Sequence, residues 1–255
     1  MKQDVYKRFL RCVEQWPDAI AVEIRSTPPE KFTYQRLRFM AESVARWLSE
    51  NGHPPATACA IFASNSPRWV AAYLGTIAVG CIVVPLDASL HADELSRLLT
   101  ASDAKLLFSD SLHWATVQKA LTGHLFPVVL LDSSSATTDL GPTTSRPVYL
   151  DSVLDAGARN FTPVSASPGA TAAILFTSGT TDFPMGVVLT HENLTAQIEA
   201  VFGRLQAGPG DAILSVLPLF HALPQTANLL LPLACGARIV YLETLNTSEL
   251  LRALR

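Results

Sequence analysis

The densest run of reactive side chains lies at Thr177, Ser178, Gly179, Thr180 and Thr181, continuing through Asp182, Phe183, Pro184 and Met185 to Gly186 and Val187. Four of its first five residues carry hydroxyls. Small residues let backbone amides approach a polyphosphate and hydroxyls can donate to its oxygens, so the run can serve as a phosphate cradle. It can equally be a Gly/Ser/Thr turn between strands, since it lacks the GxxxxGK[ST] pattern of nucleoside triphosphatases. Two histidines stand nearby in the chain. His221, in Leu219, Phe220, His221, falls at an expected strand-to-helix junction, where it can line a pocket or be satisfied by packing. His191 and Glu192 open an expected helix behind Thr190; we read them as structural, with Glu192 favourable in the first turn and Asn193 too short for a true capping box.

The elements that would hold these residues alternate. A helix opens behind Thr33 as N-cap, with Leu37, Met40, Val44, Trp47 and Leu48 on one face, and ends at Asn51 and Gly52. A short buried strand follows over 58–62, then Ser64, Asn65, Ser66 and Pro67 begin a helix running to Val79. Strands are expected over 81–86, 105–108, 127–131, 171–176, 211–216 and 237–242, and helices over 92–99, 114–121, 191–205 and 223–234. A further helix begins at Thr247 or Ser248, so the chain reads as truncated. Repeated strand–helix–strand units need crossovers that place helices on both faces of a parallel sheet. The expected fold is therefore α/β, doubly wound, with largely parallel sheets and flanking helices.

Composition bounds the function. The 255 residues are 49% hydrophobic and 16% charged, enough apolar material for a deep core and too little charge for a disordered tail. So low a charged fraction also fits a surface that another segment covers. A net charge of −3 with scattered basic residues gives no electrostatic reason to bind nucleic acid or anionic lipid. Cys12, Cys59, Cys81 and Cys235 have no CxxC spacing, which argues against zinc or redox motifs and for a reducing, cytoplasmic setting. The N-terminus lacks the continuous apolar core of a signal peptide. Residues 69–86 carry no charge, reaching the lower length of a spanning helix, but Gly75, Gly80, Pro85 and a β-branched run favour a helix followed by a buried strand. Residues 132–147, rich in Ser, Thr, Gly and Pro, read as an exposed loop.

Ile174, Leu175 and Phe176 followed by TSGTTDFPMGVVLTHENL resemble the phosphate-binding signature of the adenylate-forming superfamily: acyl-CoA synthetases, luciferases and peptide-synthetase adenylation domains. FTYQRL at 32–37, GTIAVGCIVVPLDASL at 75–90 and LPLFHAL at 217–223 match the same family in order, across nearly the whole chain. The resemblance implies activation of a carboxylic acid by ATP and Mg²⁺ to an acyl-adenylate, then transfer to a thiol such as CoA, as in fatty acyl– or aryl acid–CoA ligases. It implies that Thr177, Ser178, Gly179, Thr180, Thr181 and Gly186 hold the phosphates and that His221 lines and gates the acyl and ATP pocket.

The family loop reads TSGTTGxPKGV, so Asp182 replaces glycine and Met185 replaces lysine. The loop is two units more negative than the family's. At ~6 Å and an effective dielectric of ~20 each unit-charge pair is worth roughly 3 kcal/mol before screening. Weakened ATP binding is the expectation, and no catalytic residue is assigned. The resemblance makes 1–255 a partial N-terminal AMP-binding domain, with subregions 1–168 and 169–255 and with the C-terminal lid domain absent. A non-catalytic remnant or binding module remains an alternative, as does one half of a split ligase that needs a missing C-terminal half or self-associates.

Overall fold

The computed structural model describes residues 4–26, 28–132, 147–177, 185–202, 207–242, 247 and 250–251. The Ser/Thr/Pro-rich segment and most of the helix expected after Thr247 lie outside them. The chain opens with helix α1 (Val5–Gln15), which the sequence reading missed, and an antiparallel pair, β1 (Ile20–Arg25) and β2 (Glu30–Thr33). Asp4 caps α1 through a 2.8 Å bond from the Lys7 amide, and the helix buries Tyr6, Phe9 and Val13 on one face. Helix α2 (Tyr34–Glu50) starts at Thr33, whose hydroxyl accepts from the Arg36 amide at 3.1 Å, as the residue types imply.

Strand β3 (Ala58–Phe62), helix α3 (Pro67–Ala78) and strand β4 (Ile82–Pro85) follow, then α4 (Ala92–Ala101), β5 (Leu106–Ser109), α5 (Trp114–Ala120) and β6 (Val128–Leu130). The short β7 (Val148–Tyr149) and α6 (Leu150–Ala156) precede β8 (Thr171–Thr177), β9 (Met185–Thr190) and α7 (His191–Phe202). After β10 (Ala212–Leu214), helix α8 (Ala222–Pro224) continues through a π-helical stretch over Gln225–Leu230 into α9 (Leu231–Cys235), and β11 (Arg238–Leu242) follows. The uncharged stretch from Trp69 is thus α3 plus β4. No helix of the described residues is long and apolar enough to cross a membrane.

Two sheets result. The larger runs β7-β6-β5-β3-β4-β8-β9, parallel except for β9, and the smaller runs β10-β11-β1-β2, parallel except for β2. Each sheet takes strands from both sides of residue 168. Alternation along β3 sends Cys59 and Ile61 to a core shared with α2 and α3, and Ala60 and Phe62 to a second core beneath α4 and α5. Helices therefore cover both faces of the larger sheet, the doubly wound arrangement expected.

The main core depends on two close approaches. A Cβ on Gly75 would lie 2.5 Å from the Ala41 carbonyl oxygen and 2.7 Å from Val44 Cβ, so the glycine lets α3 meet α2 backbone to side chain. Gly236 ends α9 at φ +82° against the Trp16 ring, where a side chain would both strain the backbone and clash. Replacing Gly75 by Ala is expected to lower stability by about 1–3 kcal/mol through overpacking. A urea melt with an unchanged midpoint would show that the helix pair can part without cost.

Candidate functional site

Parallel β8 runs outward from the core, with Ala172, Ala173 and Leu175 buried, and delivers Thr177 exposed at its carboxyl end. Antiparallel β9 returns beside it, pairing Phe176 with Gly186 and Thr177 with Met185. The hairpin thus holds both ends of the hydroxyl-rich run. Ser178, Gly179, Thr180, Thr181 and Asp182 lie outside the described residues. A Cβ on Gly186 would sit 3.1 Å from Ile174 Cγ2 and 3.3 Å from Phe176 Cε1, so glycine here makes room for the ring across the hairpin. Met185 is 61% exposed, and the neighbouring Val187 and Val188 are also exposed.

A cavity of about 280 Å³ lies against the hairpin, lined by Leu175, Thr177 and Val187 on the strands and by Phe220 and His221 from the turn before α8. The structure therefore brings Thr177 and His221, 44 positions apart in the sequence, to one cavity. His221 is exposed, its ring centroid is 4.1 Å from that of Phe220, and its carbonyl accepts from the Gln225 amide at 3.0 Å. Its side chain makes no capping bond to α8. That leaves the imidazole available to the cavity.

Asn65 positions this turn, a role the sequence reading missed. Its Nδ2 donates to the Leu217 carbonyl at 2.9 Å and its Oδ1 accepts from the Leu219 amide at 3.2 Å, tying the end of β3 to the segment that carries His221. Asn65 reads locally as part of a helix start, and only Ser66 performs that task, accepting from the Trp69 amide at 3.1 Å. A partner more than 150 positions away leaves no mark on local spacing.

Behind the hairpin, Thr190 and Asn193 do form a reciprocal capping box, contrary to expectation. The Thr190 amide donates to Asn193 Oδ1 at 3.0 Å and the Asn193 amide donates to Thr190 Oγ1 at 3.1 Å. The Asn carboxamide reaches back as a longer Glu or Gln would. His191 is structural as read: it is 2% exposed, its amide donates to the Ala170 carbonyl at 3.0 Å, and its Nδ1 has no hydrogen-bond partner among the described residues. Burial lowers its pKa, with Asp4 opposing.

A hydroxyl-rich run leaving the carboxyl end of a parallel strand, with a histidine-bearing turn beside it, lies where open α/β sheets place their ligands. A family model described as AMP-binding enzyme matches residues 9–255, and the chain belongs to that family. This confirms the resemblance read from the loop. Oxalate–CoA ligase of Arabidopsis thaliana is 31% identical over 94% of this chain and 45% of its own length. Long-chain-fatty-acid–CoA ligase 5 of Rattus norvegicus is 28% identical over 94% of this chain and 37% of its own. The chain thus spans less than half the length of these curated relatives. Among solved structures, the N-terminal domain of FACL13 from Mycobacterium tuberculosis shares the fold at TM-score 0.83 and 22% identity, covering 99% of this chain and 60% of that one. ATP-bound MatB from Rhodopseudomonas palustris does so at TM-score 0.82 and 21% identity, covering 100% of this chain and 48% of that one.

The buried His191 makes a testable contribution to acid sensitivity. With its pKa held below the ordinary 6.5, the unfolded chain takes up a proton first as pH falls, so stability contributed by the neutral ring declines below that value. His53, also lowered by burial, acts in the same direction. Urea midpoints are expected to fall between about pH 7 and about pH 5, and His191→Gln to flatten that slope. An unchanged slope in the variant would place the acid sensitivity elsewhere.

Proposed function

We propose that this chain supplies the phosphate-binding part of an enzyme that activates a carboxylic acid with ATP to an acyl-adenylate and transfers the acyl group to a thiol, with CoA as acceptor and Mg²⁺ accompanying the nucleotide. The observation that carries the reading is the β8–β9 hairpin, which fixes both ends of the 177–186 run beside a cavity shared with His221. The carboxylate oxygen attacks the α-phosphorus and pyrophosphate leaves, so the protein must hold the triphosphate still while negative charge grows on the leaving group. Thr177, Ser178, Gly179, Thr180, Thr181 and Gly186 are the residues we assign to the β- and γ-phosphates. His221 would position the acid and gate its entry. The CoA ligases among the relatives support the acid–thiol class, and those acting on long-chain fatty acids and 4-coumarate support the fatty acyl or aryl type. Four free, buried cysteines agree with a reducing cytoplasm.

A second reading, a non-catalytic binding module or one half of a split ligase, is favoured by Asp182 and Met185 and by the exposed Met185, Val187, Val188 and Leu223. Asp182 adds a negative charge to the loop, and Met185 puts an exposed thioether where the family carries an ammonium. This chain alone is accordingly expected to be inactive or nearly so.

Calorimetric titration of Mg·ATP separates the readings. The native chain is expected to bind at least about tenfold more weakly than the Asp182→Gly/Met185→Lys double variant, solvent screening having reduced the full Coulomb difference. Equal affinities would refute the charge argument. Binding by neither would favour the second reading.

A further inference from the structure

The larger sheet contains a second feature, independent of the hairpin. From β3 the chain moves to β4 on one side and then to β5 on the other, so β3 marks the point where the strand order reverses. At such a point neighbouring loops diverge beyond the carboxyl ends of the strands and leave a crevice where open α/β sheets bind ligands. Here the crevice is a cavity of about 490 Å³, within the range of small-molecule sites. Ser64, Ser89 and His113 enter it from the loops after β3, β4 and β5, and the smaller sheet closes the opposite wall with Ser215 and Tyr241.

His113 is held for use. Its Nδ1 pairs with Asp110, whose carboxylate also accepts from the His113 amide at 3.0 Å and from the Ser64 amide at 2.8 Å. The ring packs edge-on against Phe62 at 5.4 Å. With Nδ1 committed, Nε2 is the nitrogen His113 offers a ligand. Across the cavity, the Ser215 and Tyr241 hydroxyls are buried, and neither meets a partner in hydrogen-bonding geometry among the described residues. Trp69 and Phe220 add flat apolar surface. Among the described residues lining the cavity none is Lys or Arg, while Asp87 is present and Asp110 stands behind His113. A phosphate entering here would meet carboxylates with no fixed cation to offset them.

We propose that this crevice is a second small-molecule site, which takes an uncharged, hydroxyl-bearing aromatic or heteroaromatic molecule with a hydroxyl on the His113 imidazole and rejects phosphorylated molecules. The site stands apart from the acid-activation reading, because its charge and its histidine belong to β3, β4 and β5 rather than to the 177–186 run.

The test is calorimetry and saturation-transfer NMR on the full 255-residue chain with pyridoxine, uridine and 4-hydroxybenzyl alcohol, set beside pyridoxine 5′-phosphate and uridine 5′-phosphate. At least one unphosphorylated probe is expected to bind, and its phosphate ester at least about tenfold more weakly. His113→Ala should weaken the unphosphorylated probe about tenfold. Ser64→Arg, on an exposed rim residue, should narrow the gap between a probe and its phosphate even if the histidine variant does not fold. The proposal is overturned if no unphosphorylated probe binds, if a probe and its phosphate bind alike, or if a folded His113→Ala chain binds as the native one does.

Discussion

Parallel pairing is the constraint on which the rest of this structure depends. Strands β3, β4, β5 and β8 run in the same direction, so their carboxyl ends and the loops that leave them gather at one edge of the larger sheet. The strands are buried on both faces, which obliges near-continuous apolar sequence and exports polar chemistry to that edge. The smaller sheet adds the ends of β10 and β11 to the same region, and Asn65 ties the two together. Both the hairpin cavity and the switch-point crevice follow from that arrangement, with Phe220 lining each.

Side-chain chemistry distinguishes the two places. The 177–186 run, which we propose holds phosphate, carries Asp182 and Met185 where the family's pattern carries glycine and lysine. With Met185 largely solvent-exposed, the lost cation matters through a screened interaction rather than a buried one. The crevice, by contrast, combines aromatic walls with hydroxyls and an aspartate-held histidine. Charge disfavours anions at both places: Asp182 and Met185 make the loop more negative than the family's pattern, and among the described residues no Lys or Arg lines the crevice.

Much of the fold was legible because its signals are local. Thr33 and Ser66 cap the helices their spacing announces, since a short hydroxyl side chain competes for its own backbone amides. The resemblance over the 177–187 run likewise led to the family that residues 9–255 match. What escaped depends on distant partners. The alternating charges of α1 hid a helical face whose burial needs the rest of the core, and β1 and β2 gain their meaning by pairing with each other and, for β1, with β11, Val22 meeting Ile239. The first four residues of β9 are exposed on both faces, so its hydropathy carries no alternation, and its antiparallel direction is set by the hairpin. The Thr190–Asn193 box shows that a reciprocal cap can close with a shorter amide than the usual pattern requires.

The most direct test of the phosphate-cradle account is hydrogen–deuterium exchange of the Asp182→Gly/Met185→Lys chain with and without saturating Mg·ATP. The account predicts protection over residues 176–190, the hairpin and the run between its strands. Nucleotide binding that protects another segment and leaves those residues unchanged would contradict it.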